Sequence, residues 1–156
     1  MTGSKLIATP QDALTYKITG CAMAVHRQLG PSHRENAYQR DLGMHFTQAG
    51  LSFEAQKLYE VHDNGRLVGY YIPDFVVENQ VIVEIKALNG LNNNHLAQII
   101  GYLAVSGLSI GLLINFGTRS LQHRRVLPPR KTTEHIINRQ WLFTPDWLTA
   151  DEDASE

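Results

Sequence analysis

Asp74 directly follows Pro73, and ten residues later Glu84, Ile85 and Lys86 follow one another, so that two carboxylates and one amine stand in a short β-rich stretch. Residues of these types, brought together, can hold a hard divalent cation through oxygen ligands and keep a water or a phosphate oxygen beside an ammonium group. The local sequence supplies a way to bring them together. Residues 72–77 and 81–86 are rich in β-branched and aromatic side chains and are separated by Glu78-Asn79-Gln80, the pattern of a β-hairpin. With that loop Val77 pairs with Val81, and counting back along both strands sets Asp74 opposite Glu84. Directly opposed Cβ atoms lie about 4.5–5.5 Å apart. Carboxylates that close repel unless a cation sits between them or one takes up a proton. A bound Mg²⁺ resolves the conflict, and the strand period of two puts Lys86 on the same face as both acids.

The rest of these strands is apolar on both sides, with Phe75, Val77, Val81, Val83 and Ile85 on one face and Ile72, Val76 and Ile82 on the other. Such strands are central and covered, and charged groups in a covered sheet need pairing or coordination. The bland alternative places Glu84 and Lys86 at a fraying strand end that merely faces water.

The surrounding elements read as follows. Leu14, Ile18, Cys21, Val25 and Leu29 recur at steps of three and four, predicting an amphipathic helix over residues 12–29 that Gly30-Pro31 ends. A second helix is expected from Ser32 or His33 to Ala49, with Ser32 as N-cap and Glu35 as its capping-box partner. Glu35 also shares a face with Tyr38, Leu42 and Phe46, so it is either a capping carboxylate or a third acid for the site. Phe53–His62 and Arg66–Tyr71 flank Asp63-Asn64-Gly65, a type I′ hairpin signal, in a register opposing Val61 to Val68 and Tyr59 to Tyr70. The second of these strands runs on towards Pro73, which predicts a three-stranded antiparallel meander. After Asn89-Gly90 a helix is expected from Asn92 to Ser106. Its apolar stripe is Leu96, Ile99, Ile100 and Leu103, and its polar stripe is His95, Gln98 and Tyr102, three side chains that reach one common target. The apolar strand at 109–115 follows, parallel to a neighbour, then an edge strand over 121–127 with its arginines exposed. Trp141-Leu142-Phe143 and Trp147 read as an aromatic segment that caps a core.

At 156 residues, 43% hydrophobic and 19% charged, the chain is of single-domain length and ordinary globular composition. No apolar run approaches the ~20 residues of a bilayer span, and the N-terminal residues do not form a secretory signal. The single cysteine, Cys21, excludes an intramolecular disulfide and suits a reducing cytoplasm. The net charge of −1 conceals an asymmetry. Arg119, Arg124, Arg125, Arg130 and Lys131 form a basic stretch able to track a phosphate backbone, and an acidic tail begins at Asp146.

The order helix, meander with Pro-Asp and Glu-x-Lys, helix, strand resembles the PD-(D/E)XK nuclease superfamily. More narrowly it is similar to the small bacterial proteins named GxxExxY. The stretches that carry the resemblance include 18–20, 25–31, 35–38, 72–75, 81–86, 97–103 and 111–117, and the first glycine of the motif is replaced by Ser32. The resemblance implies an α/β fold of α+β type, a mixed sheet with a restriction-endonuclease-like core, over residues 1–131. Residues 132–156 are an extension whose last six residues are expected to be disordered. It also implies metal-dependent phosphodiester hydrolysis. In that reading Asp74, Glu84 and the Ile85 backbone carbonyl hold Mg²⁺ or Mn²⁺, and Glu35 contacts the metal or its waters. Lys86 orients or deprotonates the attacking water or stabilises the phosphorane, and Gln98 and Tyr102 position the lysine and the substrate. The substrate is nucleic acid, with DNA expected. Two alternatives stay open: a module on the same fold that binds nucleic acid or protein without hydrolysis, and a homodimeric form of the nuclease.

Overall fold

Helix α1 (Pro10–Leu29) forms because Leu14, Ile18, Ala22 and Val25 make one buried stripe. It stops at Gly30, whose φ of 72° is a left-handed closure and whose N–H donates to the His26 carbonyl. The structure is a computed structural model and describes residues 10–129 and 136–149. Arg130, Lys131 and the expected disorder of the last six residues lie outside the described residues. No helix among the described residues is long and apolar enough to cross a membrane.

Helix α2 (Glu35–Gln48) buries Tyr38, Leu42 and Phe46 and ends before Gly50, at φ 75°. Its start departs from the expected capping box. The N-cap is Arg34, which makes no side-chain cap bond, and Ser32 lies outside the helix. The Tyr38 hydroxyl donates to the Gly30 carbonyl and accepts from the His33 N–H at 3.2 Å, so the connection is stitched to the helix interior rather than capped by serine.

Five strands form the main sheet: β1 (Phe53–Ala55), β4 (Phe75–Val77), β5 (Val81–Lys86), β6 (Ile110–Asn115) and β7 (Gln122–Val126), adjacent in that order. β4 and β5 are antiparallel with Val77 opposite Val81, as the apolar alternation predicts, and β5 and β6 are parallel, joined through helix α3 (Asn93–Ser106). β7 closes the far edge antiparallel to β6 with its arginines exposed.

The meander is built differently from the expectation. Gln56 adopts φ 56° and breaks the stretch expected as one strand, so β1 pairs with β4 in the main sheet. β2 (Tyr59–Asp63) and β3 (Arg66–Tyr71) form a separate two-stranded sheet. Their turn has Asn64 and Gly65 both at positive φ, which fits a type I′ turn, but a bulge at Val61/His62 sets Val61 opposite Gly69 and Tyr59 opposite Tyr71, one residue off the predicted register. Ile72 to Asp74 cross between the two sheets.

The main sheet is covered on both sides, as its apolar strands require. One core joins α1 and α2 to Phe75, Val77, Val81, Val83, Ile85, Leu112 and Ile114. Within it Phe116 stacks on Tyr38 with ring centroids 4.6 Å apart. The other joins α3 and the β2–β3 hairpin to Val76, Ile82, Leu113 and Val126, with Ile137 and Leu142 packed against it. The segment after β7 therefore returns to the domain. Phe143 forms an antiparallel bridge with Tyr70, and the Asn138 N–H donates to the Tyr71 hydroxyl at 3.0 Å.

Candidate active site

Asp74 sits one residue before β4 begins, at the point where β5 runs past the end of its neighbour. The unpaired stretch of β5 is taken by the Asp74 side chain, whose Oδ2 accepts the Ile85 N–H at 2.8 Å. Asp74 Oδ1 accepts from Gln56 Nε2 at 3.2 Å, and its backbone carbonyl accepts the Gln56 N–H at 3.1 Å. The left-handed turn at Gln56 thus clamps the aspartate by both main chain and side chain. A strand residue sends its N–H and C=O towards the same edge, so the Ile85 carbonyl also faces the Asp74 side. The Lys86 carbonyl, one residue on, turns to the other edge and accepts from Phe116 N–H.

Glu84 and Lys86 lie on β5, on the face of Val76 and Ile82, and both are buried, as is Asp74. Glu35, the first residue of α2, reaches the same place from the other layer. Carboxylate oxygens of Glu35, Asp74 and Glu84 lie within 4.8 Å of one another. Glu35 is exposed as a residue, not turned inward with Tyr38, and it makes no capping bond; its carboxylate stands at the rim of the cluster.

The electrostatics follow from this crowding. Burial raises the Glu84 carboxyl well above the usual range, its hydrogen bond with Asp74 and the Asp74 charge raise it further, and Lys86 opposes both. Burial and Asp74 raise Glu35 as well. Glu84 Oε2 is buried with no hydrogen-bond partner among the described residues. A buried carboxylate oxygen without a donor, facing two more acids, is the arrangement a cation relieves.

Helix α3 brings its polar stripe over the same face. Gln98 Nε2 donates to the Tyr102 hydroxyl at 2.7 Å, and both residues are buried. Burial and the Glu84 charge hold Tyr102 neutral far above its ordinary range. Gln98 and Tyr102 are thus tied to one another on the face that carries Glu84. His95 serves the helix instead. Its Nδ1 accepts the Asn92 N–H at 3.0 Å and completes a capping box at the start of α3.

Two residues of the site escape the sequence reading. Gln56 carries no signal, since it lies inside an apparent strand. Trp141 belongs to the aromatic segment expected to cap a core, yet its ring lies 4.7 Å from Lys86 Nζ. An aromatic run outside the domain's other elements is the one signal that points to it.

The sequence profile of the PD-(D/E)XK nuclease superfamily matches residues 12–126, the span from α1 to β7. No curated protein sequence matches the chain. The crystal structure of SSO0001 is similar in three dimensions, with a TM-score of 0.48 and 18% identity over 76% of this chain, which spans 62% of the length of that one. Three acids gathered where β5 runs past the start of β4, on a chain whose match runs through every strand of the main sheet, place the protein in a family: it belongs to the PD-(D/E)XK nuclease superfamily.

Proposed function

We propose that this protein is a divalent-metal-dependent nuclease that hydrolyses phosphodiester bonds in DNA, in line with its narrower resemblance to the GxxExxY proteins. The observation that carries the reading is the convergence of Glu35, Asp74 and Glu84 within 4.8 Å, with Glu84 Oε2 left without a donor. That donor set fits Mg²⁺ or Mn²⁺, which would be held by Asp74, Glu84 and the Ile85 carbonyl with Glu35 at the rim. When bound, such an ion supplies Lewis-acid polarisation of the phosphate and a more acidic water.

The chain's own groups do the rest. Asp74, fixed by Gln56 and the Ile85 N–H, and Glu84, buried on β5, bring their oxygens together with that of Glu35. Lys86 orients the attacking water and balances the negative charge that grows on the phosphate oxygens as the water oxygen bonds to phosphorus, the ester P–O bond breaks and the departing oxygen takes up the proton the water gives up. Arg124 supports a nucleic-acid substrate. Leu113 pairs with Glu84 on one side and Arg124 on the other, so the exposed arginine shares the face of the acids, two strand spacings or about 9.5 Å away. Arg125 points to the opposite layer, where it pairs with Asp12 of α1.

The test is cleavage of labelled single-stranded, duplex and branched DNA and of RNA with Mg²⁺ or Mn²⁺, beside Asp74→Ala and Lys86→Ala. Wild type is expected to cut DNA, and each substitution to lower the rate by at least about 100-fold. Cleavage of RNA alone would remove DNA from the reading. A folded wild type that cuts nothing, and binds nucleic acid as well as both variants do, would establish the non-catalytic module instead.

A further inference from the structure

We propose that residues 136–143 form a strap that completes the active site, with the indole of Trp141 as the positioning residue for the Lys86 amine. The inference rests on the nuclease reading and extends it to a segment outside the residues 12–126 that the family profile covers.

The strap is seated at several points. Phe143 and Tyr70 exchange both backbone hydrogen bonds, at 2.8 and 2.9 Å, which adds a residue of strand pairing to the free edge of β3. The Asn138 N–H bonds the Tyr71 hydroxyl, and Ile137 and Leu142 pack against the core on the site's face. Gly69 shows how close the approach is. A Cβ there would lie 2.7 Å from both the Phe143 carbonyl oxygen and Leu142 Cγ, so no other residue lets the strap lie down on β3.

Between these anchors a short 3₁₀ turn, Arg139–Trp141, carries the indole over Lys86. Lysine is a flexible stem ending in a compact charge. Among the described residues Lys86 Nζ makes no ion pair, although three carboxylates stand nearby. The face of the indole is therefore what bounds its position, by the attraction of a cation to an aromatic face. The indole Nε1–H is buried without a hydrogen-bond partner among the described residues, so the ring is held for its face and not for its donor.

Two side-chain variants and one backbone variant test this. Trp141→Leu removes the π face, Trp141→Phe keeps one, and Gly69→Ala unseats the strap while leaving every acid and the lysine in place. Trp141→Leu is expected to lower kcat about 10- to 100-fold with KM little changed; Trp141→Phe is expected to restore most of the loss, and Gly69→Ala to follow Trp141→Leu. A folded Trp141→Leu with wild-type kcat would overturn the proposal. A gain in kcat would make the indole a plug, and a loss confined to KM would make it a substrate contact; either overturns it. A second readout does not need activity. The Lys86 ε-methylene protons, assigned by their absence in Lys86→Arg, are expected upfield of the other lysines in wild type and Trp141→Phe and at ordinary positions in Trp141→Leu and Gly69→Ala. If wild type cuts no substrate, the nuclease reading falls on its own, and an ordinary Lys86 shift in wild type would separately overturn the strap.

Discussion

Glu84 is buried against Asp74 and Tyr102, with one oxygen unpartnered and its proton held well above the usual carboxylate range. The folded state therefore binds this proton more tightly than the unfolded chain, where the ordinary value is 4.5. From about that pH up to the raised value the native state holds more protons than the unfolded one, and stability falls as pH rises through the window. Without divalent metal, denaturant titrations are expected to show this decline, and Glu84→Gln to remove it, stabilising the metal-free protein at neutral pH by on the order of 1–3 kcal/mol. A Glu84→Gln variant no more stable than wild type at neutral pH would mean that the carboxylate is relieved by a group already on the chain. The types and spacing of Asp74, Glu84 and Lys86 are legible in the sequence because a strand's period fixes which side chains share a face. Gln56 is not, because a non-glycine residue at φ 56° has no sequence signature and its bonds to Asp74 span 18 positions.

Between elements, the connection leaving β5 is pinned against the end of β6 by Asn115. Its side chain accepts the Leu88 N–H at 2.9 Å and donates to the Leu88 carbonyl at 3.0 Å, and the residue is fully buried. Gly117 lets the two backbones close, since a Cβ there would lie 2.3 Å from Leu88 N. Asn115→Ala leaves these Leu88 groups without partners and is expected to cost about 2–4 kcal/mol in thermal or chemical unfolding. A cost below about 0.5 kcal/mol would mean the connection holds without this tie. The elements themselves are legible where a hydrophobic period sets them: α1, α3, β5, β6 and the Val77–Val81 register. They depart from expectation where a distant group decides. The Tyr38 hydroxyl stitches the 30–33 connection and leaves Ser32 outside α2, and the break at Gln56 sends β1 to β4 and the hairpin to the opposite face.

Over the whole molecule, the acids come from both layers, Glu35 from α2 and the others from the sheet, so a cation that joins them ties the layers together. A ligand bound by the native state alone stabilises it by about 2.7 kcal/mol at 100 times its Kd. Mg²⁺ or Mn²⁺ is thus expected to raise the Tm of wild type and not of Asp74→Ala, as scanning calorimetry would record; an equal rise in both would place the ion elsewhere. The two-layered covering of the sheet is legible from strands apolar on both faces. The piece of chain that covers Lys86 is not, since apolar periodicity identifies a face that needs a cover without naming the segment that supplies it.

The strap also has a place in time. Trp141 follows β7 in the chain, and its docking requires β3 and β5 to be in position already. A polypeptide is made from its N-terminus onward. Glu35, Asp74, Glu84 and Lys86 are therefore all made before the indole that stands over the lysine, and that contact is among the last the chain can form.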